Sequence, residues 1–208
     1  MIAIVDYGVG NLYSLTCSLR NIGAEAVVTR EEAVLRAAAR VILPGVGAFG
    51  DAAEKLRALG LDALLRELAE QGKPLMGICL GMQLLFDKSL EYGEHQGLGL
   101  ISGRVAPLDP LLRNAEKVPH MGWNSLDFAR PEDSLLQGIA PGDYVYYVHS
   151  FFATECSAAV VASSDYGGVQ VPGIVREKNV CGTQFHPEKS GKIGLSILAN
   201  FVREAEIC

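Results

Sequence analysis

Basic residues are in the minority in this sequence of 208 residues: 18 lysines and arginines face 24 aspartates and glutamates, leaving a net charge of -6. No run of lysine and arginine stands out in the chain. Binding to a polyanion depends on a cationic footprint that displaces counterions, so nucleic acid is not expected as a partner, and neither is an anionic membrane surface. Long apolar runs are missing too. The longest uncharged stretch, Pro74 to Phe86, is broken by glycines and polar residues and falls short of the roughly 20 residues that span a bilayer, so no membrane segment is expected. The N-terminus lacks a basic leader and meets Asp6 too early for a secretory core. It reads instead as a first strand.

Cysteine is sparse and unpaired. The five cysteines, Cys17, Cys79, Cys156, Cys181 and Cys208, are odd in number and form no CxxC spacing, which excludes a disulfide framework and a zinc ribbon and suits a reducing, cytoplasmic compartment. Cys17, Cys156 and Cys181 read as buried apolar positions and Cys208 as a loose terminus. There is no linker rich in Ser, Pro or Gly, no internal repeat and no low-complexity tract, so residues 1–208 are read as one domain.

What is present is an alternation of short apolar runs and helical patterns. Strands are expected at Ile2–Val5, Ala26–Thr29, Arg40–Leu43 and Leu75–Ile78, with helices at 11–21, 31–38, 49–59, 61–70 and 80–87. This βαβ rhythm implies a parallel sheet in the N-terminal half. The second half is rich in β-branched segments, at 98–105, 124–128, 144–152, 158–162, 169–175 and 180–185, closed by a helix over 193–205. The whole reads as an α/β open sheet of the flavodoxin-like kind, helices on both faces, with a mixed or antiparallel C-terminal extension. Ligands of such sheets bind beyond the carboxyl ends of the parallel strands, which directs attention to the residues after Val5, Leu43 and Ile78.

After the fourth strand stands Gly77-Ile78-Cys79-Leu80-Gly81, a G-x-C-x-G turn into a helix and the cysteine counterpart of a serine nucleophile elbow. Glycines on both sides permit the tight backbone, and the N-terminus of the helix beginning at Leu80 favours a thiolate at Cys79. Among the four histidines, His186 is set apart by Gln184-Phe185-His186-Pro187-Glu188. Glu188 is close enough to orient the ring while the other nitrogen faces the thiol, as a triad requires. His149, at the end of another strand, is the rival base; no carboxylate follows it nearby, so it is assigned to the cleft lining.

The loop after the third strand, Leu43-Pro44-Gly45-Val46-Gly47-Ala48-Phe49-Gly50, contains a literal G-x-G-x-x-G. A dinucleotide site would need an acidic residue at the end of the next strand, where Cys79 stands instead. No cofactor is therefore expected. The backbone N–H groups of the loop, with that of Leu80, suit an oxyanion hole.

Taken with Asp6-Tyr-Gly-Val-Gly-Asn11, Gly77-Ile-Cys-Leu-Gly-Met-Gln83, Pro119-His-Met-Gly-Trp-Asn124, Tyr147-Val-His-Ser150 and Gln184-Phe-His-Pro-Glu-Lys-Ser190, these segments make the whole chain resemble the class I glutamine amidotransferases. Within that family it is most similar to the glutaminase subunits that serve histidine biosynthesis. The resemblance implies a triad of Cys79, His186 and Glu188, an oxyanion strand at Gly45, Val46 and Gly47, and glutamine contacts from Gln83, Glu91, Ser150 and Phe151. It also implies a heterodimer with a β/α-barrel cyclase subunit that uses the ammonia to make imidazole glycerol phosphate and an aminoimidazole carboxamide ribotide. Trp123, in a Gly-Trp-Asn turn, Asn11, Lys189 and the Tyr7-Gly8 turn are the expected interface. Two other readings compete: the glutaminase subunit of another synthase, such as that for pyridoxal phosphate, and a noncatalytic protein whose cysteine senses oxidation.

Overall fold

Alternate residues of the first strands point into two different hydrophobic clusters. In β1 (Ile2–Val5), Ala3 and Val5 join one cluster while Ile2 and Ile4 join the other, and β3 (Arg40–Leu43) divides in the same way, with Val41 and Leu43 opposite Ile42. Side chains of a strand alternate between faces, so a sheet with period-two apolar residues on both sides needs cover on both. Helices α2 (Glu32–Ala37), α3 (Phe49–Ala58) and α4 (Leu61–Glu70) bring Leu35, Phe49, Leu56 and Leu65 to the first face, and α1 (Leu12–Asn21) and α6 (Gly191–Arg203) bring Leu15, Leu19, Ile197 and Phe201 to the second. The computed structural model describes residues 1–113 and 116–204.

The main sheet has eight strands. Together with β2 (Ala26–Thr29), β4 (Leu75–Ile78) and β14 (Val180–Thr183), β1 and β3 form a parallel block in the order β2-β1-β3-β4-β14. Three antiparallel strands, β13 (Val169–Glu177), β12 (Val160–Tyr166) and β9 (Asp127–Phe128), continue it. The expected parallel half and antiparallel extension are both present. Among the described residues no helix is long and apolar enough to cross a membrane.

Several boundaries differ from the sequence expectation. The helix after Cys79, α5, is a single turn, Leu80–Gln83, and Phe86–Ser89 is a strand, β5. Phe86 and Ser89 are buried while Asp87 is exposed, and in so short an apolar segment helix and strand periodicity cannot be told apart. β5 belongs to a second sheet, in the order β11-β7-β5-β6, with β6 (His95–Gln96), β7 (Ile101–Pro107) and β11 (Phe151–Thr154). The expected run 144–152 breaks at Ser150: β10 (Tyr144–His149) leaves to pair with β8 (His120–Ser125) in a separate two-stranded ribbon. The run 124–128 divides likewise, between β8 and β9. Of the closing helix, Ala205 lies outside the described residues, as does Cys208.

A buried ion cluster fastens the end of α6. Arg176 on β13 donates to Asp133 at 2.8 Å and to Glu204 at 2.5 Å, and all three side chains are about nine-tenths buried. Removing one member of a buried ion network strands the others without water or partner. Arg176→Met is expected to lower unfolding free energy by roughly 3–5 kcal/mol, read from urea melts; a loss under about 1 kcal/mol would show that the cluster is not structurally required.

Candidate active site

The end of β4 is where the backbone is most constrained. Cys79 has φ 55° and ψ -112°, a conformation disfavoured for any residue with a side chain, costing on the order of 1–3 kcal/mol. Its neighbours hold it there: the Cys79 N–H donates to the Thr183 carbonyl at 2.7 Å, and its carbonyl accepts from the Gln83 N–H at 3.1 Å. The flanking glycines are required by contact as well as by the turn. A Cβ on Gly77 would lie 2.5 Å from the Gly81 carbonyl oxygen, and one on Gly81 would overlap the Leu43 carbonyl. Strand, turn and the following loop are thus stacked backbone on backbone.

The thiol emerges into a cleft of about 370 Å³ and faces His186. His186 Nδ1 is 2.9 Å from Glu188 Oε1, both side chains only 3% exposed. Burial by itself pushes the imidazole pKa down. Hydrogen bonds to Cys79 and Glu188 outweigh that and raise it to about 9, so the ring stays an imidazolium through neutrality. The expected support from the α5 dipole is small, because one turn aligns too few peptides. Gln184 adds a donor that the sequence reading missed, its Nε2 lying 3.8 Å from Cys79 Sγ.

Val46, Gly47 and Leu80 line the cleft beside the thiol. The first N–H groups of a helix have no intrahelical partner, which leaves Leu80 suited to meet a developing oxyanion. Gly45 is not at the wall but beneath it, where a Cβ would sit 2.6 Å from the Gly81 nitrogen. The loop is tethered at both ends: the buried Tyr7 hydroxyl donates to the Pro44 carbonyl at 2.7 Å, and the Phe49 N–H donates to Glu91 Oε2 at 2.6 Å.

Gln83, Glu91, Ser150 and Phe151 all line the same cleft. Gln83 and Glu91 are buried rather than solvated, and desolvation raises the Glu91 pKa against the opposing Phe49 N–H. Gln83 Nε2 is already engaged, donating to the Phe151 carbonyl at 2.9 Å and to Gln184 Oε1 at 3.0 Å. The Ser150 carbonyl is likewise taken by the Leu108 N–H. Tyr92, 89% exposed and edge-on to Phe151 at 6.0 Å, completes the rim; a lone tyrosine before a glycine gave no sequence signal. His149 lines the cleft, and burial pushes its pKa down to about 3, so it is no base near neutrality.

Among the expected interface residues, Trp123 lies in strand β8 rather than a turn and is 56% exposed. It belongs to an outward row with Met121 and Tyr144, both also exposed. Lys189 is exposed and Asn11 half-buried, its side chain capping α1 through the Ser14 N–H. Tyr7 departs from the expectation by pointing inward. Cys156 and Cys181 are buried, with pKa values raised by desolvation to about 11 and 12, but Cys17 is exposed on α1. Among the described residues no group of three or more His, Cys, Asp or Glu is placed to hold a metal ion.

Comparison with known proteins adds to this geometry. The family model for class-I glutamine amidotransferases matches residues 3–205. The imidazole glycerol phosphate synthase subunit HisH of Geobacillus kaustophilus is 50% identical over 204 residues, covering 97% of this chain and 96% of that protein. The HisH subunit of Aquifex aeolicus is 47% identical over 205 residues, covering 98% and 96%. A solved glutamine amidotransferase superposes with a TM-score of 0.74 at 20% identity, covering 97% of this chain and 100% of that one. The PurLQS structure from Thermotoga maritima gives 0.71 at 21%, covering 97% and 96%. At that identity the two structures speak for the fold alone.

The raised His186 pKa has a defined sign. A group whose folded pKa exceeds its unfolded value stabilises the fold fully below the lower value, here 6.5, and loses that contribution as pH rises through about 9. By NMR titration, His186 is expected to change charge near pH 9, and Glu188→Gln to shift the midpoint down toward the ordinary imidazole range. A wild-type midpoint at or below 6.5 would refute the ion-pair geometry.

Proposed function

Since the chain belongs to the class-I glutamine amidotransferases, within the HisH branch, we propose that Cys79, His186 and Glu188 hydrolyse glutamine and that residues 1–208 work as one amidotransferase domain. The observation that carries this reading is the strained Cys79 at the cleft floor with the imidazolium of His186 held by a buried carboxylate at 2.9 Å. The Cys79 sulfur attacks the side-chain amide carbon of glutamine, and the oxygen takes up negative charge facing the N–H groups of Leu80 and the Val46–Gly47 loop. His186 protonates the departing nitrogen, the C–N bond breaks and ammonia leaves. Neutral His186 then takes a proton from water as it attacks the thioester carbon. Breaking the C–S bond yields glutamate and restores the pair.

Glu91 and Gln83 sit where a buried carboxylate and amide can hold the charged end of the amino acid, with Ser150 and Phe151 as the opposite wall. Glu188 Oε1 holds His186 Nδ1 at 2.9 Å and so fixes the orientation of the ring.

Ammonia is protonated in water and loses its nucleophilicity, so its use demands a second active site docked nearby. We infer a cyclase partner, of β/α-barrel fold, that receives the ammonia and forms imidazole glycerol phosphate. The exposed row of Met121, Trp123 and Tyr144 near the cleft, with Asn11 and Lys189 on the adjoining surface, supports such a face; aromatic anchors dominate hot spots. Cytoplasmic location fits a reaction that needs Cys79 reduced.

Ammonia release from glutamine by the purified chain is expected to be low alone and to rise when a histidine-pathway cyclase subunit and its ligand are added. Cys79→Ala is expected to reduce it by about three orders of magnitude or more. Strong release without the cyclase would point to another synthase or a free amidase. No release in any mixture would favour a noncatalytic protein.

A further inference from the structure

Two buried histidines stand between the exposed aromatic row and the cleft. His120 and His149 are directly opposite each other at the end of the β8–β10 ladder, and they point to the inner face of the ribbon, whose outer face carries Met121, Trp123 and Tyr144. His120 Nδ1 lies 3.0 Å from His149 Nε2. The other ring nitrogens are occupied as well: His149 Nδ1 is 3.0 Å from the Phe151 carbonyl, and His120 Nε2 is 3.4 Å from Asn124 Nδ2. His120 is sandwiched between the rings of Tyr147 and Tyr166, at centroid distances of 4.5 and 3.9 Å. Burial holds its pKa down to about 4, and burial together with the neighbouring His120 and His186 rings holds that of His149 to about 3.

Two neutral rings in this arrangement have only one consistent set of protons. A carbonyl oxygen can only accept, so His149 must carry its proton on Nδ1. Its Nε2 is then an acceptor, which His120 must meet with Nδ1–H. The remaining His120 Nε2 accepts from the Asn124 amide, whose nitrogen also donates to the Asp165 carbonyl at 2.8 Å. Polarity therefore runs one way, from Asn124 to the Phe151 carbonyl. That oxygen also accepts from Gln83, which donates onward to Gln184 Oε1, and Gln184 Nε2 faces Cys79 Sγ.

We propose that Asn124, His120 and His149 are positioning residues for the glutaminase reaction: a one-directional hydrogen-bond relay by which the β8–β10 ribbon sets the Phe151 wall of the glutamine cleft. The inference rests on the function proposed above and deepens it. None of the relay's hydrogen bonds is made to a member of the triad, although His149 lines the cleft. The relay fixes the carbonyl on which Gln83 pivots, so a shift of β8 at its outer aromatic face is carried to the substrate wall through hydrogen bonds of fixed polarity. The triad itself is anchored to β10 by a separate bond, the His186 N–H to the Tyr146 carbonyl at 3.0 Å.

The test uses the chain in complex with the cyclase subunit. His120→Phe keeps the stacked ring and removes the donor; His120→Asn keeps a donor at the Nδ1 position. His120→Phe is expected to raise KM for glutamine about tenfold, the worth of one buried hydrogen bond, with kcat changed much less, and His120→Asn to restore most of the loss. In the unsubstituted protein, ¹⁵N NMR is expected to show both rings neutral with the proton on Nδ1, the less common tautomer of free histidine. An unchanged KM in a folded His120→Phe protein would overturn the relay. So would equal losses in kcat and KM that His120→Asn fails to relieve, and so would a proton on Nε2 of either ring. The tautomer measurement requires no substrate, so it judges the relay even if His120→Phe fails to fold. Should the unsubstituted complex release no ammonia, the proposed function falls, and the tautomers still decide whether the relay exists.

Discussion

Close approach of three backbone segments at the base of the cleft is the constraint on which the rest of the structure depends. Gly77 and Gly81 face each other across the turn, Gly81 lies against the Leu43 carbonyl, and Gly45 lies against Gly81. None of these contacts leaves room for a methyl group. With β4, α5 and the end of β3 this close, the chain passes from Ile78 to Leu80 with Cys79 at positive φ. The strain is small beside the apolar burial of the two core clusters, and its return is a sulfur fixed in direction. The Val46–Gly47 loop, the His186 imidazole and the thiol then line one cleft, where donors held by the fold can meet a developing charge.

Strand β10 connects that base to the rest of the molecule. Its Tyr146 carbonyl holds the His186 N–H and its Tyr146 N–H is held by Ser190 Oγ, which in turn donates to the His186 carbonyl. Val148 places its carbonyl 3.9 Å from the thiol. The same strand carries exposed Tyr144 outward and His149 inward. One strand therefore registers His186, Cys79, the cleft wall and the exposed aromatic row, because alternate residues of a strand serve opposite faces.

How much of this could be read from the sequence depended on whether the signal was local. The parallel block was legible because four-residue apolar strands alternate with amphipathic helices, and the elbow and His-Pro-Glu segments were legible because each role requires a residue type at a fixed spacing. The second sheet was not, since Phe86–Ser89 and His95–Gln96 are too short to show a period and acquire their strand character only by pairing. Trp123 was expected in a turn because Gly122 precedes it, whereas β8 is ordered by its ladder with β10. The relay through His120 and His149 had no local sign either: the two rings are 29 residues apart, and only the cross-strand register brings them together. Tyr7 was expected at the partner interface on the strength of the resemblance, but its hydroxyl satisfies a buried carbonyl 37 residues away.

The double tether of the glycine loop has a mechanical meaning. With the Pro44 carbonyl fastened by Tyr7 and the Phe49 N–H fastened by Glu91, only Gly45, Val46, Gly47 and Ala48 lie between the fixed points. Two of these are glycines, and Gly47 sits at φ 95°, so the segment has the form of a crank between two bearings, its conformational freedom lying between the tethers and not in β3 or α3. One bearing is the carboxylate of Glu91, which also faces the cleft. An amino group arriving at that carboxylate would share it with the Phe49 N–H, and occupancy of the cleft would then set how tightly the far end of the crank is clamped.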